Sequence, residues 1–203
     1  MHAIIMAGGR GERMQRSGGV VPKALTPIAD DPLIAHLCRY LSTSGITRIV
    51  VALGNRAAEM QTALDNIKKK MPDVGLAWRD TGVDCGNGGR LRRLGSHTPD
   101  QTFLMCWCDG LTDFDLQAML AQHRRSRCLA TVMSVQEPPR WGQLDIEGDR
   151  VVALREKADA DRRWINGGFF LLEPEAIGFV HDDSEAWEHG GLQRLIEARQ
   201  LGV

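Results

Sequence analysis

The amino-acid sequence predicts an α/β fold with a Rossmann-like, mixed and mostly parallel sheet flanked by helices. Short apolar segments rich in β-branched residues alternate with helical patterns, the first segment runs into a glycine-rich turn, and a later one ends in Asp-Gly. The chain has 203 residues, of which 43% are hydrophobic, enough to bury the core of one domain. We therefore expect a single domain over residues 1–203.

Eight segments have the length and composition of β-strands. They lie at His2–Met6, Thr47–Leu53, Val74–Trp78, Thr102–Cys106, Leu129–Val135, Gly142–Ile146, Val151–Arg155 and Gly168–Leu172. Polar turn residues at the centre of 144–152 indicate a hairpin, so we expect the sheet to become mixed in the second half of the chain.

Helical spacing of apolar residues fills the gaps between these strands. It predicts helices at Pro32–Ser44, Arg56–Lys70 and Asp113–Arg125, and the first of these ends just before a glycine. The residues Asp182-Asp183-Ser184 are typical of a helix start and predict a last helix that continues through Gln200.

The glycine-rich turn after the first strand predicts a phosphate-binding site. Residues 8–11 read Gly-Gly-Arg-Gly, so backbone amides can approach an anion, and Arg13 and Lys23 would add positive charge. The dinucleotide-binding pattern requires glycine in place of Met14, and the Walker A pattern requires lysine in place of Glu12. An ordinary surface turn with two solvated cations is the alternative interpretation.

A carboxylate follows a later apolar strand, where ligands of open α/β sheets bind. The run 103–108 ends at Asp109-Gly110, and a carboxylate oxygen there suits Mg²⁺, which is held by one or two carboxylates plus phosphate oxygens. The alternative is that Asp109 opens a turn or caps the next helix, which Asp113 and Asp115 can do equally well. We favour the metal.

The composition argues against a nucleic-acid or membrane partner. The formal net charge is −1, so no global positive field is available for a nucleic-acid backbone, and we expect neither a signal peptide nor a membrane span. An odd number of cysteines, mostly in apolar segments, favours reduced thiols in a cytoplasmic protein. The five cysteines are Cys38, Cys85, Cys106, Cys108 and Cys128.

Three further clusters have the polar and glycine-rich composition of a ligand pocket. The segment 86–91 could bring backbone amides to a base or sugar while a helix starts, although a simple turn is the alternative. Glu156-Lys157 pairs an acceptor for sugar hydroxyls with a cation for a phosphate, but neighbours of this kind more often form an exposed ion pair. Asn166-Gly167 places an amide side chain and bare backbone at the start of an apolar strand.

Taken together, these segments resemble the sugar-phosphate nucleotidyltransferases, and within them most closely the glucose-1-phosphate cytidylyltransferases. The resemblance covers nearly the whole chain in order, and it rests on the segments 3–9, 22–23, 80–82, 88–91, 109–110, 141–146, 156–157, 165–170 and 187–188. It implies the nucleotide-diphospho-sugar transferase type of fold.

The resemblance implies transfer of a nucleotidyl group to a sugar 1-phosphate, with release of pyrophosphate and with Mg²⁺ as cofactor. CTP and glucose 1-phosphate are the implied substrates. A guanylyl- or uridylyltransferase that acts on another sugar phosphate is the second hypothesis, and a non-catalytic relative that binds a nucleotide or sugar phosphate is the third. The family continues past the position of Val203 into a segment with a second metal-binding aspartate, so the resemblance implies a domain without that segment. It is also compatible with a homo-oligomer.

Individual residues take their roles from the same resemblance. Catalysis is assigned to Arg13, Lys23 and Asp109, and Asp109 also binds the metal. The nucleotide is expected at Met6, Gly8, Gly9, Gly11, Arg13, Lys23, Gly88, Gly89 and Arg90. The sugar phosphate is expected at Gly110, Glu156, Lys157, Asn166 and Gly167.

Overall fold

A seven-stranded sheet lies at the centre of the molecule, for which a computed structural model describes residues 1–11, 21–95, 100–137, 143–155 and 163–203. In chain order the strands are β1 (His2–Met6), β2 (Pro27–Ile28), β3 (Asp31–Pro32), β4 (Arg48–Leu53), β5 (Gly75–Asp80), β6 (Phe103–Trp107), β7 (Ala130–Glu137), β8 (Gln143–Glu147), β9 (Arg150–Arg155), β10 (Arg163–Leu172) and β11 (Leu201–Gly202).

In the described residues, five α-helices and three short 3₁₀ helices connect the strands. The α-helices are α1 (Leu33–Thr43), α2 (Ala57–Lys70), α3 (Asn87–Arg93), α4 (Leu116–Ser126) and α5 (Gly191–Glu197), and the 3₁₀ helices span Lys23–Leu25, Pro174–Phe179 and Trp187–His189. None of the helices in the described ranges is both long and apolar enough to cross a membrane.

The order of the strands confirms a mixed and mostly parallel sheet. It runs β11-β7-β10-β6-β1-β4-β5, with β1 parallel to both β4 and β6, and β10 antiparallel to both β6 and β7. The expected hairpin is also confirmed, because β8 pairs antiparallel with β9 in a separate two-stranded sheet. A second small sheet pairs β2 with β3.

The central strands are apolar along their whole length because both faces of the sheet are covered. In β1, Ile5 packs on the face covered by α1 and α2, while Ile4 packs on the opposite face with buried residues of α3 and α5. A strand buried on two faces gains from apolar side chains at every position, which explains its unbroken apolar run. Trp187, completely buried, belongs to the second face.

All eight predicted strands are confirmed, but the predicted last helix is wrong over most of its length. Residues 182–200 contain a 3₁₀ turn and the short α5, and β11 follows. The Asp182 carboxylate accepts hydrogen bonds from the backbone N and Oγ of Ser184, so it closes a turn rather than starting a helix. Gly142, where one strand is expected to begin, lies outside the described residues.

Candidate active site

A cleft of about 630 Å³ opens at the edge of the sheet where the parallel strands end. The turn after β1 forms one wall, and residues after β5 and β6 reach the same cleft. It is lined by residues 6–11, 22–24 and 107–109, together with Cys85, Asn87, Arg90, Ala186 and Glu188. The structure therefore brings together Met6, Gly8, Gly9, Gly11, Lys23, Arg90 and Asp109 among the predicted site residues.

The glycine-rich turn is held against the end of β4. The Ala7 amide donates to the carbonyl of Ala52 (3.0 Å), and the Asn55 amide donates to the carbonyl of Gly8 (3.2 Å). Gly11 has φ +63°, a left-handed conformation that costs energy in residues with a Cβ. Nothing lies within 4 Å of a Cβ added at Gly9, so the chain is open to the cleft there.

Lys23 and Asp109 meet in this cleft although 86 residues separate them. Lys23 lies in the first 3₁₀ helix, and its Nζ donates to Oδ2 of Asp109. The turn of Asp109 continues β6, because the Cys108 amide donates to the carbonyl of Met6 (3.2 Å). Asp109 does not cap the next helix, since Asp115 accepts the two amide bonds at the start of α4.

The carboxylate of Asp109 fits a magnesium ion that takes its remaining ligands from a substrate. Its side chain is about one-third exposed (29%) and faces the cleft, so one carboxylate oxygen donor is available beside the phosphate-binding turn. Within the described ranges, no group of three or more His, Cys, Asp or Glu residues could hold a metal ion. A single carboxylate such as that of Asp109 suits Mg²⁺, which is commonly bound by one or two carboxylates together with phosphate oxygens of a substrate.

Arg90 acts as a buried cross-link beneath the glycine-rich turn. Its Nη1 donates to the carbonyls of Leu53 (2.8 Å) and Gly82 (2.8 Å) and to Oγ1 of Thr81 (2.5 Å). Its Nη2 donates to the carbonyl of Gly8 (2.8 Å). Burial lowers the pKa of this guanidinium, because the charged form loses its hydration. The oxygen atoms that replace the water are uncharged carbonyl and hydroxyl oxygens. Arg90 therefore fixes the turn to the ends of β4 and β5.

Gly88 and Gly89 pack against residues 183–188, which we call the covering segment. A Cβ at Gly88 would lie 2.9 Å from the carbonyl oxygen of Glu185, and one at Gly89 would lie 2.6 Å from Cα of Asp183. The Gly89 amide already donates to the carbonyl of Glu185 (3.2 Å). The structure thus gives these glycines a packing role, and their nucleotide-binding role stays a prediction.

Three of the residues expected to bind the sugar phosphate, Gly110, Asn166 and Gly167, lie around β6 and β10. Gly110 follows Asp109, and a Cβ there would be 3.3 Å from the ring of Phe169. Oδ1 of Asn166 accepts from the Gly168 amide (2.8 Å), and Gly167 packs against Met133. Gly110, Asn166 and Gly167 are not among the described residues that line the cleft, and their role stays a prediction. Arg13, Glu156 and Lys157 lie outside the described residues.

Sequence reasoning missed Asn87 and Glu188 as site residues. Both line the cleft, and Nδ2 of Asn87 donates to Oε2 of Glu188 (2.9 Å) across 101 residues. Both lie in segments that the sequence singled out, 86–91 and 187–188, but neither residue was given a role of its own. Cys108 also lines the cleft, and burial, with a smaller contribution from Asp109, raises the pKa of its thiol to about 12. All five cysteines are free thiols, while the cytoplasmic location stays a prediction.

Comparison with known proteins finds a matching family model and several relatives. The family model described as nucleotidyl transferase matches residues 2–195. The chain is 31% identical over 221 residues to the glucose-1-phosphate cytidylyltransferase of Salmonella typhi, a match that covers 99% of this chain and 86% of the relative. It is 25% identical over 173 residues to the D-glycero-alpha-D-manno-heptose 1-phosphate guanylyltransferase of Aneurinibacillus thermoaerophilus, covering 84% and 74% of the two chains.

Among solved structures, HddC from Yersinia pseudotuberculosis has the same fold. The two chains superpose with a TM-score of 0.72 at 24% identity, over 92% of this chain and 83% of that one. The match to the family model and the relative at 31% identity each cover nearly the whole chain. The chain therefore belongs to the nucleotidyl transferase family, and among its members it is similar to the sugar-1-phosphate nucleotidyltransferases.

Proposed function

We propose that this protein transfers a cytidylyl group from CTP to glucose 1-phosphate, giving CDP-glucose and pyrophosphate. The observation that carries the proposal is the Lys23–Asp109 pair, which faces the phosphate-binding turn in one cleft. A cation and a carboxylate at this place are what a site for two phosphorylated substrates requires. The similarity to the cytidylyltransferase of Salmonella typhi supports the choice of substrates.

The reaction needs no covalent intermediate with the protein. An oxygen of the sugar phosphate attacks the α-phosphorus of CTP, the bond from that phosphorus to the oxygen bridging to the β-phosphorus breaks, and pyrophosphate leaves. The attacking oxygen is already ionised at neutral pH, so positioning and charge neutralisation carry the rate. The amides of residues 8–11 and the ammonium of Lys23 would bind the triphosphate.

Lys23 and Asp109 exchange partners when the substrates bind. In this structure the ammonium of Lys23 donates to Asp109, so its charge is partly neutralised. A triphosphate offers Lys23 a more highly charged acceptor and leaves Asp109 free as a metal ligand. When bound there, Mg²⁺ would offset negative charge on the triphosphate and on the departing pyrophosphate.

Guanylyl transfer is the second candidate. The similarity to the guanylyltransferase of Aneurinibacillus thermoaerophilus, at 25% identity over 84% of this chain, favours it directly. Both candidates use the same phosphate chemistry at Lys23 and Asp109, and they differ in the base and the sugar.

Pyrophosphate release tests the proposal. CTP, GTP, UTP, dTTP and ATP are each combined with glucose 1-phosphate and a panel of other sugar 1-phosphates in the presence of Mg²⁺. We expect release that requires both substrates and is fastest with CTP and glucose 1-phosphate. Release that is fastest with GTP would select the second candidate. No release with any pair, from a folded protein that binds nucleotide, would overturn the enzyme assignment and leave a non-catalytic binding protein.

Matched variants test whether the activity depends on Lys23 and Asp109. Lys23→Met and Asp109→Asn remove one charge each from the cleft, and we expect each to lower turnover strongly. Lys69→Met and Asp73→Asn remove the same charges from exposed positions at and beyond the end of α2 and should leave turnover unchanged. Equal effects in the two pairs would contradict the site.

A further inference from the structure

Glu188 presents a carboxylate to the cleft, and the proposed reaction gives this carboxylate no role. Its Oε2 accepts a hydrogen bond from Nδ2 of Asn87 (2.9 Å), whereas Oε1 bonds to no described residue. A carboxylate is an unfavourable neighbour for a triphosphate, because like charges repel in a partly desolvated cleft. Its presence there calls for a hydrogen-bond donor on the ligand.

The position of this carboxylate is set by a chain of hydrogen bonds that begins in the backbone. Oδ1 of Asn87 accepts from the amides of Gly88 (3.0 Å) and Trp187 (2.7 Å), which fixes the orientation of the Asn87 amide. Its NH₂ group must therefore face Glu188. Trp187 is completely buried, and it anchors the covering segment from below.

The order of the strands places Glu188 and Asp109 on opposite sides of the phosphate-binding turn. The phosphate-binding turn follows β1, and Asp109 follows β6 on one side of it. On the other side lie β4 and β5, to whose ends Arg90 of α3 is bonded. Asn87 begins α3, so Glu188 lies on the side of the turn away from Asp109. The nucleoside of a triphosphate held by the turn and Asp109 would extend toward this side.

We propose that Glu188, oriented by Asn87, accepts a hydrogen bond from the amino group of the nucleobase and so selects an amino-bearing base. The inference rests on the proposed function and names the feature that selects its nucleotide. Cytosine carries a donor amino group at C4 where uracil has an acceptor oxygen, and a carboxylate accepts from the first and repels the second. Guanine and adenine also carry amino groups, so the shared chemistry is an amino-bearing base, and the choice among them is an outcome of the test.

The variant E188Q tests the charge and the direction of this bond. Because the Asn87 NH₂ group faces position 188, the oxygen of the new amide must face Asn87, and its own NH₂ group takes the outer position. That group would oppose the amino group of cytosine and donate to O4 of uracil. We expect kcat/KM for CTP to fall about 10- to 100-fold, kcat/KM for UTP to stay constant or rise, and KM for the sugar 1-phosphate to stay constant.

A CTP analogue that lacks the 4-amino group separates recognition from structure. The 2-pyrimidinone ribonucleoside triphosphate should be a poor substrate of the wild-type protein, and E188Q should lower its kcat/KM by less than threefold, because the bond is already lost. Glu197→Gln, an exposed change on α5, is the matched control and should alter neither nucleotide. If GTP or ATP is the preferred substrate, the same comparison uses inosine or purine ribonucleoside triphosphate.

Binding measurements distinguish a failure of this inference from a failure of the proposed function. Calorimetric titration with CTP and UTP, without sugar phosphate, reads base preference whether or not the protein turns over. A wild-type preference for UTP or dTTP would overturn the inference, and so would an E188Q variant that loses affinity for CTP and UTP equally. A purely structural role for Glu188 would show as a lower melting temperature with an unchanged preference.

Discussion

A single added methyl group at Gly8 should be strongly destabilising, because the buried guanidinium of Arg90 lies directly beneath this glycine. A Cβ at Gly8 would lie 2.6 Å from Nε of Arg90 and closer still to its guanidinium carbon. Arg90 is only 3% exposed and is held by the four hydrogen bonds described above, so it cannot swing into solvent. The guanidinium would have to shift by roughly 1 Å, since carbon atoms need about 3.5 Å between them.

The magnitude follows from the bonds that such a shift breaks. Bonds of 2.5–2.8 Å stretched by that amount fall outside hydrogen-bond distance. Each bond from a charged donor is worth about 1.5–3 kcal/mol, so losing two of the four costs about 3–6 kcal/mol of unfolding free energy. At about 2–4 °C per kcal/mol for a chain of this size, Gly8→Ala should melt at least ~6 °C lower.

Gly9→Ala is the matched control in the same turn. Nothing lies within 4 Å of its added Cβ, and its φ is not positive, so its stability should change by less than about 0.5 kcal/mol. Urea unfolding of both variants, with Arg90→Ala introduced into each, completes the test. Gly8→Ala should cost little once Arg90 is shortened. Equal stabilities of the two single variants, or an undiminished cost of Gly8→Ala beside Arg90→Ala, would refute the reasoning.

Three further predictions concern the cleft and its covering segment. Lys23→Ala and Asp109→Ala should each lower the rate of pyrophosphate release about 10²- to 10³-fold. Cys106→Ala, a change in the buried strand β6, should lower this rate far less. Comparable losses in all three variants would contradict the site. Gly89→Ala should force the covering segment away from α3, which limited proteolysis would detect as new cleavage near residue 185, and an unchanged pattern would contradict the packing role. Burial raises the pKa of the Cys108 thiol to about 12, so little of this thiol is ionised at neutral pH. The rate at which iodoacetamide alkylates Cys108 should therefore rise about tenfold per pH unit from pH 7 to 9. A rate independent of pH would contradict this prediction.

The central sheet could be predicted from sequence because its physical cause is local. A strand such as β4 is buried on both faces, so its apolar character shows in a short window of sequence. The ends of β10 and the course of residues 182–200 could not be predicted in the same way. At Gly168 a φ of +81° and the bond from its amide to Asn166 interrupt the pairing of β10 with β7, and such irregularities depend on the neighbouring strand.

The candidate site could likewise be predicted only in part from the sequence. Lys23 and Asp109 could be placed together because the phosphate-binding turn, with Lys23 a short way further along the chain, follows β1 and Asp109 follows β6. Parallel strands bring their ends to one edge of the sheet. Asn87 and Glu188 could not be paired, since their bond depends on the path of the covering segment over α3. The glycines of α3 gave a signal with two readings, because bare backbone serves close packing as readily as ligand binding, and the structure shows the packing.

Gly8 and Gly54 both lie against the guanidinium of Arg90, which links the two turns that carry them. A Cβ at Gly54 would lie 2.7 Å from Nη2 of Arg90, so the turns after β1 and β4 both leave room for the same guanidinium. No carboxylate of the described residues lies within ion-pair distance of it, and an unpaired buried cation is costly. That charge lies directly beneath the turn expected to bind a triphosphate, whose negative charge it would help to balance. The same side chain thus holds the turn in shape and places a positive charge beneath it, which would favour an anionic ligand in the cleft.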